Sequence, residues 1–401
     1  MSNITSPLVI DERIGYALFD ADQHYYEPED ALTRYLPSQY KRLVRWVDID
    51  GRRRLILDGH VFSKMANASY NPIAKPGALS EMFKGNNPEG KSAAELLGEE
   101  EPTRREYRNR EARLAELDRQ GVEGCLMLPS FGLYVEEQFK TNPEALVAIL
   151  TAYNRWLLED WGFNYENRIF TGPLLSFIDP EFAVSEITWA HSKGAKFIVL
   201  RPSPVTDGVH HWSLGDARHD VIWSKLTELG MFAVFHAADS GYDADSARWG
   251  ESKLGSFYSG ALIELMATQY ERPIEESIAA LVAHNVFHRH PKLKVATIEL
   301  GSKWASSLYA RAKSTYAKMP QVFTADPVEV LREHVYISPF YEDNLSTLKE
   351  LAGADRIMLG SDWPHPEGLV TPGDYIEHLA EFNAAEVRKV MADNLKGLLG
   401  L

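Results

Sequence analysis

Three separate segments carry side chains that can hold a divalent metal ion. Asp22 and His24 flank one residue in Asp22-Gln23-His24. His236 closes the apolar run Val234-Phe235-His236, and Asp362 sits in Gly360-Ser361-Asp362-Trp363-Pro364-His365-Pro366. Carboxylate oxygens and imidazole nitrogens suit zinc, manganese or iron and leave room for water. The chain has one cysteine, Cys125, against 13 histidines. An intrachain disulfide or a four-thiolate zinc site is therefore impossible, and a transition-metal site must use histidine and carboxylate. Taken singly, each segment has an ordinary explanation: a strand-end turn at His24, a packed core histidine at 236, a helix N-cap at Asp362. Taken together they form a ligand inventory for one divalent ion.

These residues meet only if the chain brings their segments to one place. Short apolar runs at Tyr16–Asp22, Glu123–Pro129, Ile169–Phe177, Ala195–Pro202, Met231–Ala237, Lys294–Leu300, His334–Phe340 and Arg356–Asp362 read as strands. Several are continuous rather than alternating, as expected of parallel strands buried on both faces. Helical patterns lie between them, among them Thr103–Gln120 with Gly121 as its C-cap, Pro143–Asn164 and Pro273–His288. Eight alternations predict an α/β fold of the (β/α)8 TIM-barrel type, in which strand C-termini face the active site. Residues two apart on a strand point the same way, so Asp22 and His24 can close on one ion. The expected organisation is one domain over 1–401, interrupted after the first strand by an insertion at 42–101 of about 60 residues. That insertion contains an expected hairpin at Gly51–Gly59 and reads as a lid or an interface arm.

Other residues belong to the same mouth. Arg201 ends the fourth strand and is a candidate for a substrate carboxylate, with a salt bridge to Glu299 or another acid as the alternative. Glu27 lies three residues beyond His24 and either reaches back to the metal or precedes Pro28 at a turn. Trp212, Trp249, Phe257, Tyr258, Tyr341 and Trp363 fall in or near strand-end loops. They suit an aromatic substrate or a subunit interface equally.

The segments Asp20-Ala21-Asp22-Gln23-His24-Tyr25-Tyr26-Glu27-Pro28, Phe235-His236, Asn285–Val295 and Gly360–Gly368, with the closing Asp393-Asn394-Leu395-Lys396-Gly397-Leu398, resemble the amidohydrolase superfamily. The similarity is to its amidohydrolase-2 branch, related to aminocarboxymuconate semialdehyde decarboxylase. The resemblance implies metal ligation by Asp22, His24, His236 and Asp362, with Glu27 as a further candidate. It places His365 and Trp363 beside the substrate. It also marks a departure: decarboxylases of the branch carry a catalytic histidine where this chain has Glu299. Glu299, or His284 just upstream of the Val286-Phe287 segment, is then the expected acid or base beside Asp362.

The resulting expectation is a divalent-metal-dependent hydrolase acting on a small aromatic or carboxylate-bearing substrate, with zinc as the expected ion and manganese or iron as alternatives. Non-oxidative decarboxylation of an aromatic or unsaturated acid is the rival reaction, and a non-catalytic metal- or ligand-binding barrel the rival class. With 57 acidic against 42 basic residues the net charge is −15, which argues against nucleic acid or an anionic membrane as partner. No apolar run approaches a membrane span, and the opening MSNITSPLVI lacks a signal-peptide pattern. A cytoplasmic enzyme, forming a homodimer or higher homo-oligomer, is expected.

Overall fold

The computed structural model describes residues 8–65, 67–251, 262–263, 266 and 271–401. Phe257 and Tyr258 lie outside the described residues. Leu18–Tyr25 and Val122–Pro129 form a parallel pair, joined next by Ile169–Phe170. Phe197–Leu200, Phe232–His236, Val295–Ile298 and Val335–Ser338 form a second parallel array in that order. A bridge between Leu174 and Val199 joins the two arrays. The last barrel position runs from Ile357 to Trp363, bridging Ile337 on one side and Gln23 on the other. The barrel is thus closed, and its strands are almost wholly buried and apolar because helices cover the outside.

The expected last strand, Arg356–Asp362, is not a regular ladder. A 3-10 turn occupies Ala354–Arg356, and backbone bonds close the seam: Ala21 N donates to Leu359 O, His24 N to Trp363 O and Asp362 N to Asp22 O, each at 2.8 Å. Two helices also differ from expectation. Thr103–Gln120 is a 3-10 turn at Arg105–Tyr107 followed by an α-helix at Arg110–Gln120, because the Asn109 side chain caps the Ala112 N–H and starts the helix there. Pro273–His288 is broken at Asn285, whose φ of 56° is left-handed, into Glu271–Ala283 and Val286–Arg289. No described helix is long and apolar enough to cross a membrane.

Residues 42–101 begin as a three-stranded antiparallel sheet, Val44–Ile49, Arg52–Leu57 and His60–Val61, rather than the single hairpin expected at Gly51–Gly59. Its two turns are Asp50-Gly51 and Asp58-Gly59, with all four residues at positive φ, the conformation that Asp-Gly adopts in tight hairpins. The rest of the segment crosses the barrel mouth and is tied to it. Leu79 N donates to Pro366 O at 2.7 Å, Gly77 N to His365 O at 3.2 Å, and Arg108 to Ser69 O at 2.7 Å.

Candidate metal centre

The strand ends bring Asp22, His24, His236, Glu299 and Asp362 together at the barrel mouth. His24 Nε2 lies 3.2 Å from Asp22 Oδ1, 3.2 Å from Asp362 Oδ1 and 3.3 Å from Glu299 Oε2. His236 Nε2 lies 3.0 Å from Glu299 Oε2 and 3.7 Å from Asp22 Oδ1. Donor atoms about 2.1 Å from a shared ion stand about 3.0 Å apart at right angles and about 3.4 Å apart at tetrahedral corners. The observed spacings have that character. Asp22 Oδ1, His24 Nε2, His236 Nε2 and Asp362 Oδ1 are buried, and none makes a well-formed hydrogen bond. They converge on a common region, and the grouping Asp22, His24, His236 and Glu299 could hold a divalent cation. A second grouping, His24, Glu299, Asp362 and His365, overlaps the first.

Local structure aims each donor. His236 closes its strand and uses Nδ1 on the Ala237 carbonyl at 2.9 Å, which leaves Nε2 as the free lone pair. Glu299 and Asp362 stand just past their ladders with φ of 55° and 57°. Left-handed backbone at non-glycine residues costs about 1–3 kcal/mol each and persists where surrounding structure enforces it. Gly360 gives Asp22 room: a Cβ there would overlap Ser338 Oγ and lie 3.0 Å from Asp22 Cβ.

Burial opposes charge on every one of these groups, yet the imidazoles sit above their ordinary pKa. Glu299 and Asp22 drive His236 up to about 9, and Asp22, Asp362 and Glu299 raise His24. Despite burial, the imidazoles hold Glu299 and Asp22 below the usual carboxylate range, while burial and the charge of Glu299 push Asp362 well above it. Three carboxylates gathered around two imidazoles call for positive charge, and a divalent cation supplies two units of it while leaving both imidazoles neutral as ligands. His365 stacks on His24 with ring centroids 3.9 Å apart, and its Nδ1 is 2.7 Å from Asp362 Oδ1. Burial and the neighbouring His24 bring it down to about 4.

Four expected residues are placed elsewhere. Glu27 does not reach the cluster: its buried carboxylate accepts the Ser130, Phe131 and Gly132 N–H groups and the Tyr153 hydroxyl. His284 is exposed at the C-terminal end of the helix preceding the sixth strand. That helix runs antiparallel to the strands, so its C-terminus lies at the opposite end of the barrel. Arg201 takes the salt-bridge alternative, but with Glu137 at 2.7 Å and Glu136 at 3.2 Å instead of Glu299. Trp363 is buried between Arg113, 4.5 Å from its ring, and Tyr107, and does not line the cavity.

Two supporting residues went unread in the sequence. Asp20 accepts from Ser361 Oγ at 2.5 Å, Ser361 N at 3.0 Å and Gln23 Nε2 at 3.0 Å, clasping the first strand to the last. Arg113, wholly buried, donates to the His24 carbonyl at 2.6 Å and to Gln23 Oε1 at 3.0 Å.

The cluster forms the floor of a cavity of about 180 Å³. Insertion residues, including Met65, Tyr70, Ile73, Phe83 and Leu97, complete its walls.

The amidohydrolase family model matches residues 19–401. A crystal structure of an amidohydrolase from Mycobacterium avium subsp. paratuberculosis K-10 is 40% identical, with a TM-score of 0.89 over 96% of this chain and 99% of that one. A 2,6-dihydroxybenzoate decarboxylase from Rhizobium shares the fold at 14% identity and a TM-score of 0.60, over 96% and 99% of the two chains. A dihydroxybenzoic acid decarboxylase from Polaromonas sp. JS666, solved with manganese and 2-nitroresorcinol, does so at 16% identity and a TM-score of 0.60, over 81% and 93%. A 2-amino-3-carboxymuconate-6-semialdehyde decarboxylase from Dictyostelium discoideum is 27% identical over 132 residues, 31% of this chain and about a third (36%) of that relative's length. The branch expected from the motifs is thus borne out, and the chain belongs to the amidohydrolase family.

Proposed function

We propose that this protein is a divalent-metal-dependent hydrolase of a small, aromatic, non-anionic substrate, with Asp22, His24, His236, Glu299 and Asp362 as the metal-holding set. The charge of the cavity carries this reading. Three carboxylates form its floor, and the one lysine among its described lining residues, Lys64, is 2.6 Å from Asp243 and 3.5 Å from Asp239. Arg201, the guanidinium that would have received a substrate carboxylate, is committed to Glu136 and Glu137. Beyond the metal ion itself, an anionic substrate would meet a negative, low-dielectric space whose described lining offers no uncommitted lysine or arginine, at high desolvation cost.

A bound divalent ion supplies Lewis acidity, polarising a carbonyl oxygen and lowering the pKa of water toward neutrality. The protein groups then handle protons and position. Asp362 is placed to accept the proton from attacking water and return it to the leaving group, with His365 Nδ1, 2.7 Å away, orienting its carboxyl. Ser130 Oγ, 3.1 Å from His365 Nε2 and donating to the Tyr25 carbonyl at 2.9 Å, holds that ring in place. Glu299 serves as an anionic donor to the ion in place of the acid or base role expected for it. The donor set is oxygen-rich, which suits manganese as well as zinc.

Non-oxidative decarboxylation is the second reading. One observation favours it: Glu342 and Glu367 line the cavity, and burial pushes both carboxyls up to about 7, the range a proton donor to a ring carbon would need. The two readings separate in one experiment. Protein loaded with Zn²⁺ or Mn²⁺ is assayed against neutral aryl esters, lactones and anilides, and against salicylate-type acids with CO₂ detection. Ester or amide turnover that a chelator abolishes is expected. CO₂ release without such turnover overturns the hydrolase reading.

A further inference from the structure

The acidic lining continues away from the cluster. Glu100, Glu342 and Glu367 face the same cavity. Glu367 stands out, because its Oε2 is buried and has no hydrogen-bond partner. A buried acceptor left unused is costly, and it marks a position where a donor completes the structure. The surrounding walls include the aromatic side chains Tyr26, Tyr70, Tyr134, Phe340 and Tyr341. Aromatic faces attract organic cations and offer nothing to a carboxylate. Tyr341 also ties this wall to the roof, its hydroxyl donating to the Glu367 carbonyl at 3.0 Å and to Ser80 O at 3.3 Å.

We propose that the cavity recognises a protonated amine, with Glu367 as its anionic partner, Glu342 as a second acid and the aromatic walls as the cation–π surface. The substrate class is then an amine-bearing aromatic ester or amide, a statement that rests on the hydrolase reading for the reaction but not for the binding.

Isothermal titration of the metal-loaded full chain with three matched probes tests this without turnover. Phenethylamine, phenethyl alcohol and hydrocinnamate share one ring and differ in charge. The amine binds about tenfold or more tighter than the alcohol, as a charge-assisted bond to a buried carboxylate requires, and hydrocinnamate binds weakest. Glu367→Gln brings the amine to the level of the alcohol and leaves the alcohol unchanged, and Glu342→Gln gives a smaller loss. If Glu367→Gln does not fold by circular dichroism, the wild-type series decides alone. Hydrocinnamate binding as tightly as the amine, an amine that does not bind, or an amine affinity unchanged in folded Glu367→Gln overturns the proposal. Loss of the amine preference with metal-dependent ester hydrolysis intact refutes this inference alone, and the reverse outcome refutes the reaction alone.

Discussion

Replacing Gly360 by alanine adds one methyl group where two partners already stand. The new Cβ overlaps Ser338 Oγ and sits 3.0 Å from Asp22 Cβ. Overpacking of this kind costs about 1–3 kcal/mol. If the strain is relieved by displacing Asp22, metal affinity falls about 5- to 150-fold. The two contacts can be separated. Ser338 Oγ is buried without a hydrogen-bond partner, so Ser338→Ala alone costs little and removes the worse overlap. The remaining distance to Ser338 Cβ is 3.5 Å, an ordinary contact, while the approach to Asp22 persists. The double variant therefore recovers most of the thermal stability of the metal-free protein, but its metal affinity stays reduced. Thermal melts in chelator report the first quantity, and competition against a chelating dye reports the second. Gly360→Ala with wild-type melting and metal affinity within about twofold would refute the argument. So would a double variant with fully restored affinity, since Asp22 would then not be the residue displaced.

Adding Zn²⁺ or Mn²⁺ to chelated protein should raise the melting temperature, with about 2.7 kcal/mol of stabilisation at a hundredfold excess over Kd; no shift with either ion counts against the centre. Glu299→Gln should lower metal affinity by about tenfold or more, whereas His284→Ala should leave affinity and activity unchanged, and equal effects would contradict the placement of both. Arg201→Met should cost about 3–5 kcal/mol in a denaturant melt, because Glu136 and Glu137 lose a buried partner. Burial works against charge on Glu137, but Arg201 and Lys140 outweigh it and hold its carboxyl below the usual carboxylate range. Its contribution is therefore complete above the unfolded carboxyl value of about 4.3 and is lost as pH falls through the folded value. The gap between wild type and Arg201→Met should narrow on acidification, and a gap that widens would sink the assignment.

Asp22, His24, His236 and Asp362 were legible because strand-end position and period-two spacing are one-dimensional facts. Their neighbours depend on direction, which spacing alone does not carry. Asp20 shares the parity of Asp22, yet the register of the first strand shifts between Asp20 and Gln23. That irregularity turns the Asp20 carboxylate toward Ser361 instead of the cluster. Glu27 and Trp363 each lie close in sequence to a donor, but the backbone points them into a loop and into the barrel wall. Arg113 reads as one of several charges on a polar helix, and only the tertiary fold shows that it is buried against the His24 carbonyl. The left-handed backbone of Glu299 has no sequence signature, and that of Asp362 has only the general tolerance of aspartate for this conformation.

The seam between the first and last barrel strands has a consequence for biosynthesis. Asp20 and its partner Ser361 are 341 positions apart, so a ribosome working at 5–20 residues per second separates their emergence by roughly 20 to 70 seconds. Throughout that interval the first strand, carrying Asp22 and His24, has one edge without its final neighbour. The donors it holds stay divided from Asp362, and a complete centre cannot form on a nascent chain. Under the proposed donor set, metal insertion would follow the emergence of Asp362, and translation that stops short of it leaves a product without that residue's carboxylate.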